Sequence, residues 1–327
     1  MLPEPYTSAD TQRMTLGYFA LSGLDLLGVV ESKIPKDERQ GLIDWAYAQQ
    51  LSLENGGGFR PSPAASDGTS LEVGHITSAY NALQLLAILR DDLSRLDRTS
   101  LQHFIAACQH EDGSFSPGPR QSERDARFVY CAFALCDMLQ CWSAIDVDSS
   151  VGFLLASRNF DGGFGQGPGQ ESQGGSTYCA LASLALASRL DAVPNLEQTI
   201  DWLCLRQLSG SGFNGRPEKA VDTCYSFWCG ASLEILAKHS LIDSESDVRW
   251  LLSAQHQLGG IAKTLDSYPD PMHAYLSHAA LSLHRAHGEG EEDEIGRELR
   301  EGLQPLEPRW NLSVSSAAWL RERLRKE

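Results

Sequence analysis

Apolar residues follow two alternating styles along the chain. Segments such as Ile200, Trp202, Leu203 and Leu205 carry the i, i+3, i+4 spacing of a helix with one buried face. Others are apolar nearly all round, as in Tyr178-Cys-Ala-Leu-Ala-Ser-Leu-Ala-Leu-Ala187, and such helices must be buried among neighbours. No period-2 alternation competes with these patterns. Half-buried helices alternating with fully buried ones predict an all-α fold in concentric layers, an inner ring wrapped by an outer one.

The alternation is periodic. Helix ends rich in Gln or Arg run into small-residue turns: Gly57-Gly-Phe59, Asp112-Gly-Ser-Phe115, Asp161-Gly-Gly-Phe164, Gly210-Ser-Gly-Phe213 and Gly259-Gly-Ile261. The turn hydrophobes at 59, 115, 164, 213 and 261 are separated by 56, 49, 49 and 48 residues. Each turn is followed by an inner helix with a tyrosine in a corresponding register, Tyr80, Tyr130, Tyr178, Tyr225 and Tyr275, at gaps of 50, 48, 47 and 50. Two markers sharing one period predict helix-pair repeats spanning residues 1–327 as one domain. The longer first gap is an inserted loop over 60–69, and the acidic stretch 288–294 reads as a solvated linker.

Composition narrows the classes of function. Of 327 residues, 27 are Lys or Arg and 43 are Asp or Glu, a formal charge of −16 that argues against nucleic acid as a partner. Eight cysteines form no CxxC pair and lie mostly in apolar helical runs, the habit of free buried thiols. The N-terminus lacks the basic and apolar regions of a leader, and no stretch reaches the ~20 apolar residues of a membrane span. The chain reads as soluble and cytoplasmic.

Repeat proteins gather function on the rim where loops collect. One rim here carries His75, Asp125, Arg127, Gln173, Arg216, Lys219, Asp222, Cys224, Lys263, Asp270 and His273. Closure of a ring brings them together. Asp222, Cys224 and His273 can supply one carboxylate, one thiolate and one imidazole, with a position left open as in a catalytic zinc site. Asp222 as a helix cap and Cys224 as a core thiol is the plainer reading, and spacing alone favours it. Arg216, Lys219 and Lys263 form a cationic group in an acidic protein, and Tyr225 adds a hydroxyl donor. Such a set suits an anionic leaving group. Helix-end charge is the better explanation of any single member, and the set as a whole carries the reading. Gly163-Phe-Gly-Gln-Gly-Pro-Gly169 follows no strand and reads as its repeat's turn rather than a nucleotide loop.

At these residues the sequence resembles a known family. Gly215-Arg-Pro-Glu-Lys-Ala-Val-Asp-Thr-Cys-Tyr-Ser-Phe-Trp228 resembles the zinc-site motif of protein prenyltransferase β subunits. Lys263-Thr-Leu-Asp-Ser-Tyr-Pro-Asp-Pro-Met-His-Ala-Tyr275 is similar to the matching segment of type I geranylgeranyltransferase β subunits. The likeness continues through Phe19-Ala-Leu-Ser-Gly-Leu-Asp25, Asp91-Asp-Leu-Ser-Arg95, Arg127-Phe-Val-Tyr-Cys131, Glu171-Ser-Gln-Gly-Gly-Ser-Thr177 and Trp310-Asn-Leu-Ser313.

The resemblance implies an α/α toroid gripped by a separate prenyltransferase α subunit. The implied reaction moves geranylgeranyl from its diphosphate to the cysteine of CaaX-terminated proteins such as small GTPases, usually with leucine last. It further implies one Zn2+ held by Asp222, Cys224 and His273, with the substrate cysteine in the fourth place. Arg216, Lys219 and Tyr225 match the diphosphate-binding positions. Lys263 stands where farnesyltransferases place a magnesium-associated aspartate, which implies chemistry without Mg2+. Thr15 matches a tryptophan that shortens the farnesyltransferase pocket. Arg127, Tyr130, Cys179 and Trp228 match the isoprenoid wall. His75, Thr77, Phe128 and Met272, with Thr15 and Phe19, match the pocket for the end of the CaaX peptide.

Two departures stand out. Gln173 occupies the place of a diphosphate-binding histidine, and the chain begins one helix short of the family pattern. A Rab-type geranylgeranyltransferase β subunit shares the zinc motif, but Thr223 and Pro269-Asp-Pro-Met-His-Ala-Tyr275 favour type I. A farnesyltransferase fits Thr15 and Lys263 less well. A non-catalytic prenyl- or partner-binding scaffold has only Gln173 and the short N-terminus behind it.

Overall fold

A computed structural model describes residues 4–65, 74–119, 121–285 and 294–324. The acidic segment 288–293 and the latter part of the inserted loop, 66–69, lie outside the described residues. The helices in chain order are α1 (Arg13–Leu26), α2 (Val30–Lys33), α3 (Lys36–Tyr47), α4 (Ile76–Ile88), α5 (Arg98–Ala107), α6 (Ala126–Leu139) and α7 (Val147–Ala156). They continue as α8 (Gly174–Leu186), α9 (Leu196–Cys204), α10 (Thr223–Ile235), α11 (Ser244–Ser253), α12 (Pro271–His284), α13 (Glu294–Gly302) and α14 (Val314–Leu324).

The apolar helices close the predicted ring. α1 packs on α4, α4 on α6, α6 on α8, α8 on α10, α10 on α12, and α12 returns to α1. The half-buried helices α3, α5, α7, α9 and α11 alternate with them in the chain and bury one face, as α9 does with Ile200, Trp202 and Leu203. Leu205 departs from the expected stripe. The helix ends at Cys204, and Leu205 is exposed just beyond it.

The glycine turns act as staples between repeats. In each, a helix-end residue forms an antiparallel bridge to the turn hydrophobe: Gln50 to Phe59, Gln109 to Phe115, Arg158 to Phe164, Gln207 to Phe213 and Gln255 to Ile261. The hydrophobe is buried every time. The Gln109 amide then bonds both the backbone N–H and the C=O of Asp146, which caps the next outer helix, at 2.8 and 2.7 Å. Gln50 does the same to Asp97, and Gln207 to Asp243. A side-chain amide carries both a donor and an acceptor, which is why glutamine recurs there.

The ring's axis is closed by residues 308–311. Tyr178, Tyr130, Tyr80 and Tyr275 donate their hydroxyls in turn to the carbonyls of Pro308, Arg309, Trp310 and Asn311, at 2.8, 3.1, 2.9 and 2.7 Å. Tyr18 adds a bond of 3.2 Å to Asn311. The repeated tyrosines therefore form the floor of the toroid. The plug lies between the two-residue strands β1 (Leu306–Glu307) and β2 (Leu312–Ser313), which no alternation in the sequence predicted.

The floor also corrects the register of one marker. Tyr80, Tyr130, Tyr178 and Tyr275 each stand five residues after their helix cap, at His75, Asp125, Gln173 and Asp270. In α10 the cap is Asp222, so the equivalent residue is Phe227 and not Tyr225. Tyr225, two residues earlier, faces the rim instead. That offset is the physical origin of the anomalous gap of 47.

Asp247 of α11 is fully buried and ties the two helices beneath the rim. It accepts a bond of 2.6 Å from the Ser226 hydroxyl of α10 and one of 2.8 Å from His284 Nε2 of α12. Asp247→Ala leaves both donors buried without their acceptor, so a loss of about 3–5 kcal/mol is expected in chemical denaturation. A midpoint unchanged from wild type would show that the network contributes nothing.

A candidate metal and anion site

The N-terminal ends of the inner helices form one rim, and capping brings the predicted residues there. Asp222 caps α10 by accepting from the Cys224 N–H at 3.1 Å. Asp270 caps α12, with Pro271 at its first helical position, and accepts from the His273 N–H at 3.0 Å. Two adjacent helices thus present an aspartate cap, a cysteine and a histidine to the same point. Ligand atoms of Asp222, Cys224 and His273 all lie within 4.8 Å of one another, a possible metal site.

His273 is held by both ring nitrogens. Nδ1 bonds Asp270 at 2.5 Å, which leaves Nε2 facing Asp222 Oδ1 at 3.3 Å. Burial opposes charge on the imidazole, but hydrogen bonds and charge from Asp222 and Asp270 outweigh it and push its pKa up to about 9. Burial likewise opposes charge on Asp222, yet bonds from His273 and Cys224 hold it below the usual carboxylate range. Burial first, and Asp222 second, push the Cys224 thiol well up. A cation bound at the three ligands would displace any proton held on the imidazole Nε2.

Two short hairpins that lead into α10 and α12 carry the predicted cations. Lys263, exposed on the turn closed by the Ala262–Pro269 bridge, places Nζ 3.6 Å from Asp222 Oδ2. Arg216 and Lys219 lie on the turn closed by the Asn214–Val221 bridge. Arg216 pairs with Glu171, and Lys219 is exposed. Tyr225 meets Gln173 at 2.7 Å. Burial first, then the neighbouring Cys224 and Asp222, push the phenol's pKa up to about 12.

The other predicted residues divide by helix. His75 and Phe128 meet edge-on at 6.1 Å between ring centroids, and Thr77 Oγ1 lies 3.8 Å from Cys131 Sγ. Thr15 accepts from Asn81 Nδ2 at 3.0 Å, one turn before Phe19, whose ring lies 6.1 Å from Tyr275. Met272 is half-buried beside His273. Cys179 is buried, Trp228 packs against Tyr178 at 5.1 Å, and Tyr130 is engaged in the floor. Arg127 is exposed at the start of α6, with Nε bonded to Asp125 at 2.9 Å.

Sequence reading did not assign roles to Asp270, Glu171 or Asn81. Asp270 was detectable, because an aspartate three residues before a histidine with proline between is a capping pattern. The Glu171–Arg216 pair spans 45 residues and the Asn81–Thr15 pair 66, with no local signal.

This architecture has known relatives. A family model described as the prenyltransferase alpha-alpha toroid domain matches residues 1–312. The chain belongs to that family. The geranylgeranyl transferase type-1 subunit beta of Arabidopsis thaliana is 36% identical, over 97% of this chain and 86% of that protein. Its counterpart in Dictyostelium discoideum is 38% identical, over 86% of each. Type-2 β subunits of two yeasts align over smaller shares of the chain. The solved Candida albicans protein geranylgeranyltransferase-I, complexed with GGPP, superposes with a TM-score of 0.88 at 28% identity, covering 99% of this toroid and 94% of that chain. No described helix of the toroid is long and apolar enough to cross a membrane.

Proposed function

We propose that this chain, residues 1–327 acting as one toroid domain, is the catalytic β subunit of a type I protein geranylgeranyltransferase working in the cytoplasm with a prenyltransferase α subunit. The observation that carries the proposal is the convergence of Asp222, Cys224 and His273 beside Lys263 and Tyr225 at the rim. Whole-length likeness to type-1 β subunits supports the same reading.

The donor set suits zinc: one oxygen, one sulfur and one nitrogen, with a fourth position open. Asp270 at His273 Nδ1 adds the outer carboxylate that orients a ligating imidazole. Zinc bound by these residues would lower the pKa of an acceptor thiol and hold it as thiolate. The acceptor sulfur forms a bond to C1 of the geranylgeranyl group as the C1–O bond breaks. The electron pair of that bond leaves with the diphosphate. Charge therefore grows on the leaving oxygens, where Arg216, Lys219, Lys263 and the Tyr225 hydroxyl compensate it. A lysine ammonium at 263 brings fixed positive charge to this place, so the reaction is expected to run without Mg2+.

The test is single-turnover transfer to a CaaX-Leu peptide by the α/β heterodimer, with zinc and no magnesium, comparing geranylgeranyl and farnesyl diphosphate. Faster geranylgeranyl transfer without magnesium is the expected result. A heterodimer that binds zinc and donor but never modifies the peptide would overturn the reading.

A further inference from the structure

Tyr225 is the inner-helix tyrosine that left the floor register, and its surroundings fix it in place. Its ring lies against bare backbone at Gly215, where an added Cβ would come within 2.1 Å of Cζ. Gly174 borders the same ring, with an added Cβ 3.1 Å from Cδ1. Gly174 N–H also donates to the Gly215 carbonyl at 2.8 Å, so the two glycines are locked to each other. The ring is held against these two glycines. What remains free is the direction of the phenol hydrogen.

Gln173 determines that direction. It is the cap of α8, and its Oε1 accepts from the Ser176 N–H at 3.1 Å. A backbone N–H requires an acceptor, so the amide oxygen is committed and the NH2 group must face the other way. That group reaches the Tyr225 oxygen at 2.7 Å. An amide NH2 can only donate, so the phenol oxygen accepts and its own hydrogen points elsewhere.

We infer that Gln173 is a positioning residue that makes Tyr225 an obligate hydrogen-bond donor to the departing diphosphate. The inference rests on the proposed transferase reading and deepens it. It accounts for an uncharged residue at this rim position. Gln173 adds no charge to the leaving group and acts by removing the choice of direction from the phenol.

The α4 repeat, two before α8, supplies a control. His75 caps α4 through Nδ1, which accepts from the Thr77 N–H at 3.3 Å, leaving the second ring nitrogen for another partner. A histidine at 173 can therefore cap α8 and still donate to Tyr225. Serine at 173 can cap but cannot reach the phenol, and it is a preferred cap residue, so the fold is retained.

The experiment measures single-turnover transfer and donor affinity on the α/β heterodimer for Gln173→Ser, Gln173→His, Tyr225→Phe and the double variant Gln173→Ser/Tyr225→Phe. Gln173→Ser is expected to slow transfer roughly 10- to 100-fold, at or below the loss of one preorganised donor, with donor Kd changed less than about 3-fold. Gln173→His should stay within about 3-fold of wild type because it keeps both bonds. In the Tyr225→Phe background, Gln173→Ser should cost nothing further, since its effect passes through the hydroxyl. An equal cost in both backgrounds, or a Gln173→Ser rate equal to wild type, overturns the inference. Either outcome is distinct from failure of the functional reading, in which wild type itself transfers nothing.

Discussion

Cys224→Ala should abolish prenyl transfer while leaving donor binding nearly intact. The thiol is buried in the first turn of α10, with Asp222 and His273 arranged about it, and no other described cysteine joins that group. Alanine keeps the helix and its Asp222 cap, because the cap accepts from the residue-224 backbone N–H. What is lost is one of the three proposed ligands. Zinc affinity of the heterodimer should fall by more than about 100-fold, beyond the usual cost of an outer-sphere change. Asp270→Asn makes the graded comparison: the ligand set is intact, the orienting charge is gone, and a loss of roughly 10- to 100-fold in zinc affinity is expected. Elemental analysis and competition with a chromogenic chelator read both. Full zinc content in Cys224→Ala would remove the residue from the ligand set, and loss of donor binding alongside retained zinc would move its role to the other substrate.

The second large effect concerns chain length. Thr15→Trp should convert a geranylgeranyl preference into a farnesyl one. Thr15 lies on inner helix α1, with its hydroxyl bonded to the buried amide of Asn81 and Phe19 one turn further along. On the proposed reading, an indole in that place would occupy the volume required by a fourth isoprene unit. At ~0.8 kcal/mol per buried CH2, four to five carbons amount to about 3–4 kcal/mol, or roughly 10²–10³ in selectivity. The substitution also strands the Asn81 amide, at a stability cost of about 1–3 kcal/mol. The ratio of kcat/KM for the two diphosphates is the decisive quantity. If a folded Thr15→Trp heterodimer kept the wild-type ratio, Thr15 would not line the end of the donor pocket.

Both predictions start from residues that were legible early, but the stability cost in the second comes from a contact that was not. Asp222, Thr223 and Cys224 sit in one helical turn, and His273 follows one repeat later, so motif and period together singled them out. Thr15 and Asn81 belong to different repeats, and only packing of α1 on α4 made them partners. The same division explains Tyr225. Its near-periodic position grouped it with the other inner-helix tyrosines, but helix register is counted from the cap, and the cap of α10 lies at Asp222. Leu205 failed for a related reason, because its apolar spacing ran past the end of the helix that would have buried it.

Sequence alone determined the repeat length, the alternation of half-buried and fully buried helices, the glutamine-bearing turns and the chemical identity of the rim residues. These are short-range properties, written in the 3.6-residue helical period and in a repeat of about fifty residues. Tertiary structure alone decided how the ring closes, with Tyr18 brought to Tyr275 across 257 residues, and how 308–311 seal the axis. It also decided which way the Gln173 amide turns. Those outcomes depend on groups far apart in sequence whose buried donors and acceptors must all be satisfied at once, and no local pattern specifies such pairings.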